Sequence, residues 1–267
     1  MRHVKRYSEL FEAQMELTEK QTRWLDGCTN GKWELNEVTG LVDVKGSFDC
    51  SGQNLRDFKG VRFGVVSDQF ICSDNPLESL EGCPQRVVGY FSCSNTLISS
   101  LKGAPESTGR SFDCSNCSLT TLEGAPRSVG GNFYCYHNFL TSLEGAPEGV
   151  GLDFYCYDNS LTSLKGAPQR VLGCFSCLDN SITSLEGLPA RIGGNFYCAG
   201  NPVSERTLNG ICKKMRGGLS WPEALSRYWR FIRTEEDKAL LAVHNPKLSL
   251  EDRRGYDSLL KFRGKII

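Results

Sequence analysis

Two Cys-x-x-Cys pairs, Cys114/Cys117 and Cys174/Cys177, are the residues whose type and spacing point first to chemistry, because paired thiolates at this spacing ligate zinc. They lie three copies of a repeating pattern apart, about 14 Å along a stack of strands. Strand alternation also sends Cys174 and Cys177 to opposite faces. No metal site and no cofactor is expected. Nucleophilic catalysis fares no better: Cys212, followed by Lys213 and Lys214, falls on the apolar side of a helical stretch, and His3, His137 and His244 sit in unrelated segments. Nothing here assembles a nucleophile, a base and an orienting group, so a non-catalytic chain is expected.

Most of the cysteines, Cys114 and Cys177 among them, belong to a different pattern. Phe-x-Cys recurs eight times, at Phe48, Phe70, Phe91, Phe112, Phe133, Phe154, Phe175 and Phe196, with one interval of 22 residues and six of 21. Such a period marks a stacked solenoid. Within each copy Phe and Cys alternate with outward residues at period two, as in a short strand with one buried face. Eight cysteines, Cys50 through Cys198, thereby form an inward row that reads as small buried hydrophobes in reduced form. An Asn three residues after Cys (Asn75, Asn138, Asn159, Asn180, Asn201) stands where the chain must turn, and its amide can satisfy backbone groups there. Two aliphatic positions follow, then Gly82, Gly103, Gly124, Gly145, Gly166 or Gly187 with a Pro two residues on. Glycine and proline so close to the strand predict a short extended or 3₁₀ return in place of a full helix.

The order aliphatic, Phe-x-Cys, Asn, Leu-Thr-Ser-Leu, Pro resembles a leucine-rich repeat of the short bacterial class, similar to the repeats of the YopM and IpaH effectors. Phe and Cys replace two consensus leucines, and each unit is one residue longer. Units such as Gly131-Asn132-Phe133-Tyr134-Cys135, continued by Leu140-Thr141-Ser142-Leu143-Glu144-Gly145-Ala146-Pro147, also resemble repeat proteins encoded by tailed phages. The resemblance covers about three fifths of the chain. It implies an α+β protein: a right-handed, curved, leucine-rich-repeat-like solenoid of eight 21–22-residue units (46–203) with one parallel sheet on its concave face. A helix and hairpin (1–45) would cap its N-terminal end and a helical module (204–267) would follow it. The IpaH-type ubiquitin-ligase domain is larger than the tail present here.

Lys plus Arg equals Asp plus Glu at 31 each, but the charges segregate. Residues 1–44 carry 6 basic and 8 acidic groups, 45–203 carry 11 and 15, and 204–267 carry 14 and 8. A basic tail patch including Lys213, Lys214, Arg216, Arg227, Arg230 and Arg233 leaves nucleic-acid contact open for the tail alone. No 18-residue apolar run and no secretory apolar core occurs, so a soluble product is expected, in the cytoplasm of the infected host cell if the phage resemblance holds. The first 17 residues place Val4, Tyr7, Leu10, Phe11 and Met15 near helical spacing. They also contain Leu10-Phe11-Glu12 and, with two further residues, Leu17-Thr18-Glu19. These are similar to the cleavage triplets of phage head-targeting peptides, which would make the chain a virion component. Thr18-Glu19-Lys20-Gln21 has the form of a capping box, starting a helix through Leu25 that Gly27 can end. Strands are expected at Trp33–Leu35 and 41–44 around Thr39-Gly40.

The outward positions change character along the repeat. The first four copies carry mostly Ser, Asp and Gly there, whereas the later ones offer Tyr134, Tyr136, His137, Asp153, Tyr155, Tyr157, Asp158, Leu178, Asp179 and Tyr197. In register these align as columns on the sheet face, with Asp and without Lys or Arg. Tyrosine combines a large apolar area with a polar tip and is enriched in interfaces. The expected activity is binding of a protein partner, basic at its contact, through this face. Sheet coverage by stacked tyrosines is the competing explanation.

Overall fold

The computed structural model describes residues 16–198 and 200–203. The expected stripe Val4–Met15, the triplet at Leu10, Cys212 and the helical module 204–267 lie outside these residues, as does the α content that module would add.

Helix α1 (Glu19–Thr29) starts at the foreseen capping box: Gln21 N–H donates to Thr18 Oγ1 at 3.3 Å, and Thr18 N–H donates to Gln21 Oε1 at 2.8 Å. It runs past Gly27, because Asn30 at φ 54° supplies the left-handed residue that stops it. The triplet Leu17-Thr18-Glu19 forms this helix start, with Glu19 paired to Arg23 at 2.9 Å. Strands β1 (Trp33–Leu35) and β2 (Val42–Val44) form an antiparallel pair.

From there the chain winds in turns of about 21 residues, each contributing to two parallel sheets. The Phe-x-Cys segments supply β3 (Phe48–Asp49), β5 (Phe70–Ile71), β7 (Phe91–Ser92), β9 (Phe112–Asp113), β11 (Phe133–Tyr134), β13 (Phe154–Tyr155), β15 (Phe175–Ser176) and β17 (Phe196–Tyr197). These form one eight-stranded sheet, with Phe opposite Phe at every step. The preceding segments supply β4 (Phe63–Val66), β6 (Arg86–Val87), β8 (Ser107–Thr108), β10 (Ser128–Val129), β12 (Gly149–Val150), β14 (Arg170–Val171) and β16 (Arg191–Ile192), which continue from β2 into a second sheet. The expectation of one sheet is therefore corrected to two. The return is extended, and it pairs. A bend separates the strands of each turn, the three residues 88–90 between Val87 and Phe91 for example.

The core lies between the sheets and is built in columns. All eight Phe side chains are fully buried, and six consecutive pairs from Phe48 to Phe175 stack 4.8–5.8 Å apart. Each buried ring contributes roughly 2–3 kcal/mol by removal from water. Trp24 of α1 meets the first of them, Phe48, edge-on at 5.4 Å, and its indole N–H donates to Gln53 at 2.8 Å.

The eight row cysteines are buried, and no disulfide occurs among the described residues. Several thiols donate to the carbonyl of the next turn, Cys72 to Ser92 at 3.2 Å and Cys114 to Tyr134 at 3.2 Å among them. A small apolar side chain with a weak donor suits that position better than leucine.

Turns are held by the asparagine column. Asn138 Nδ2 donates to the carbonyls of Cys114, Cys135 and Tyr136, while its Oδ1 accepts from Leu119 N–H. Asn75, Asn159 and Asn180 repeat the pattern. Three turns lack Asn there: the first has Gln53, which accepts from Trp24, and in the other two Thr96 donates to Cys93 O at 2.8 Å and Cys117 to Cys93 O at 3.2 Å. Cys117 therefore serves as a turn residue.

Candidate functional site

Outward side chains of the Phe-x-Cys sheet stand in columns set by its register. Along the column after Phe the residues are Asp49, Ile71, Ser92, Asp113, Tyr134, Tyr155, Ser176 and Tyr197. Tyr134 lies opposite Tyr155, and their rings stack at 5.4 Å with a 6° interplanar angle. Two residues on, Tyr136 and Tyr157 stack at 4.4 Å and 6°. The two stacks meet edge to face, Tyr134 to Tyr136 at 6.2 Å and Tyr155 to Tyr157 at 6.3 Å. All four rings are partly exposed.

Three tyrosine hydroxyls on this surface are anchored within their own turn. Asn132 Nδ2 donates to Tyr134 OH at 2.6 Å, Tyr155 OH donates to Asp153 Oδ2 at 3.0 Å, and Asn195 Nδ2 donates to Tyr197 OH at 3.1 Å. Burial pushes the Tyr157 phenol up to about 12, helped by the adjacent Tyr136 hydroxyl. The Tyr155 phenol is raised too, by burial and then by its bond to Asp153. Below, desolvation by burial holds the thiols of Cys72, Cys93, Cys114, Cys156 and Cys177 well above the ordinary thiol range. That row is packing material at neutral pH. Cys174 stands half-buried in the outward column before Phe while Cys177 points inward, the opposite orientations that alternation requires.

Seven of the ten foreseen site residues come together: the four tyrosines, His137, Asp153 and Asp158. His137 meets Tyr136 at 5.2 Å and Tyr157 at 5.5 Å, both edge to face, and its Nδ1 is 3.3 Å from Asp158 Oδ2. Leu178 follows in the column of Tyr136 and Tyr157. Tyr197 stands one turn beyond the buried Ser176, outside the stacks.

The placement of three residues is corrected. His137, Asp158 and Asp179 are turn residues at φ 53°, 50° and 49°, at the edge of the sheet face. The same position holds Gly52, Asp74, Asn95, Asn116 and Gly200, all with positive φ. A strand that must turn inward to its Asn needs a left-handed residue there, and Gly, Asn, Asp and His are the types that tolerate it. Tyr90 and Asp113 were missed as site residues: Tyr90 OH donates to Asp113 Oδ2 at 3.1 Å. Their positions, directly before and directly after a repeat Phe, are the signal that marks them.

The described residues thus define a repeat protein of the parallel β-solenoid class with an aromatic ladder on one sheet. No family model and no curated protein matches the chain. Among the described residues no helix is long and apolar enough to cross a membrane.

Proposed function

We propose that this chain is a non-catalytic binding solenoid that docks a protein partner on the tyrosine-bearing sheet face. The observation that carries this is the pair of tyrosine stacks, Tyr134/Tyr155 and Tyr136/Tyr157, on a surface whose first turns fold with Asp, Ile and Ser in the same columns. The rings are surplus to the fold and present hydroxyls and ring edges already immobilised. Little side-chain entropy remains to be lost on binding. Asp113, Asp153 and Asp158 adjoin the rings, and no Lys or Arg stands in these columns, which favours a partner with basic contacts. In this reading α1 and the β1–β2 pair close the leading end of the stack, as solenoid ends require. The likeness to phage-encoded repeats supports a factor that engages a host protein in the infected cell.

The triple variant Tyr134→Ala/Tyr155→Ala/Tyr157→Ala tests it. Partners recovered by cross-linking from cells expressing the tagged full chain are expected to be lost, with the thermal midpoint lowered by only a few degrees. Retention of the same partners, or a collapse of the midpoint, would assign the tyrosines to covering the sheet.

A further inference from the structure

The tyrosine stacks end abruptly on one side. Below Tyr134 the register partner is Asp113, and below Tyr136 the facing position is Ser115, whose neighbour Asn116 donates its N–H to the Tyr136 carbonyl. Among the described residues, no further ring covers the lower faces of Tyr134 and Tyr136. The floor of this step is a carboxylate held in one orientation. Asp113 Oδ1 accepts from Ser115 N–H at 3.0 Å and from Ser115 Oγ at 2.6 Å, and Oδ2 accepts from Tyr90 OH at 3.1 Å. Among the described residues Oδ1 has both lone pairs engaged, and Oδ2 takes one donor. Among the described residues no Lys or Arg of the chain pairs with Asp113; Arg110, nearest in sequence, makes no ion pair.

Resting on the docking surface proposed above, we infer that this step is the seat of a partner arginine, its guanidinium set against Tyr134 and Tyr136, face-on to one ring and edge-on to the other because the two stand at 87°, with one N–H donated to Asp113 Oδ2. A ring face beside an oriented carboxylate offers a cation two attractions at once. Guanidinium fits better than ammonium because it is planar and weakly hydrated. The opposite end of the stacks offers no such pairing: Tyr155 is followed by the buried Ser176 and Tyr157 by Leu178. Asp153 is bonded to Tyr155 OH and to Cys174 N–H, and Asp158 lies beside His137. Asp113 is the carboxylate left with a ring face to share.

The probe is the tripeptide acetyl-Gly-Arg-Gly-amide, titrated into full chain carrying ¹³C-labelled tyrosine. Ring resonances of Tyr134 and Tyr136 are expected to move and saturate, with Tyr197 still. The lysine tripeptide should bind several-fold more weakly and the glutamate tripeptide not at all. Asp113→Asn, which keeps an oxygen for Ser115, should weaken the arginine tripeptide at least threefold, whereas Asp68→Asn, whose carboxylate accepts from Ser47, should not. Equal shifts with arginine and glutamate tripeptides, no shift at Tyr134 and Tyr136, or an unchanged affinity in Asp113→Asn overturns the seat. Should partner capture depend on the tyrosines but not on Asp113, the docking surface stands and the seat alone fails.

Discussion

The carboxamide of Asn138 reaches back across a complete turn of the chain to the Cys114 carbonyl, at 3.0 Å. Its two remaining acceptors, Cys135 and Tyr136, belong to its own turn, so one side chain ties two turns together at the point where the strand ends. The bond asks for a donor that also accepts, and this gives a sharp ranking of substitutions. Asn138→Asp removes the donor and sets a carboxylate against three carbonyls. A loss of about 3 kcal/mol or more is expected, since each buried group left unpaired costs about 1–3 kcal/mol. Asn138→Thr should cost about 1–2 kcal/mol, because a hydroxyl can reach one carbonyl, as Thr96 does in the third turn. Urea denaturation of the two variants decides: were aspartate tolerated as well as threonine, the ladder would not be what closes the turns.

Two glycines separate backbone strain from helix propensity. At Gly145 φ is +90°, and a Cβ would sit 2.8 Å from the Leu122 carbonyl oxygen of the preceding turn. Gly145→Ala must therefore both adopt a disfavoured conformation and push two turns apart, an expected loss of about 2–3 kcal/mol. Gly27 is exposed inside α1 with nothing within 4 Å of a Cβ. Gly27→Ala should stabilise by about 0.5–1 kcal/mol. Thermal midpoints moving in the same direction for both would contradict this division.

Alkaline titration reads the aromatic ladder directly. The Tyr157 phenol ionises at about 12 in the folded chain against the ordinary value of 10, because burial, and then Tyr136, disfavour its anion. Between these values the unfolded chain gives up a proton that the folded chain keeps. The stabilising contribution is complete below pH 10 and is lost as pH rises through 12. Difference absorbance at 295 nm should show a late tyrosine that is missing from Tyr157→Phe. A Tyr157→Phe trace superimposable on the parent would place the late group elsewhere.

How much of this was legible beforehand follows from how many residues each feature uses. The Phe and Cys columns were plain, because two buried residues alternate with outward ones in every copy. The second sheet was not: its strands bury one side chain each from Val87 and Thr108 to Ile192, too short a run for period two to register. Gly82 and its successors announced a tight turn, yet not that the chain beyond it would pair. The left-handed column escaped because Gly52, Asn95, His137 and Asp158 share no chemistry except tolerance of positive φ. Likewise, Thr96 and Cys117 could not be recognised as stand-ins for asparagine until their carbonyl acceptors were seen. Tyr134, Tyr136, Tyr155 and Tyr157 were readable as outward residues, but their pairwise stacking depended on a register that leaves no offset between consecutive turns.

That absence of offset makes the molecule a ruler graduated in steps of about 4.8 Å. Excision of residues 91–111 would join Tyr90 to Phe112 in phase and bring the leading turns one graduation closer to the tyrosine stacks. Duplicating the same stretch would move them one graduation apart. Distances between contact groups can therefore be lengthened or shortened in whole units by gain or loss of genetic repeats, with no need to redesign either end.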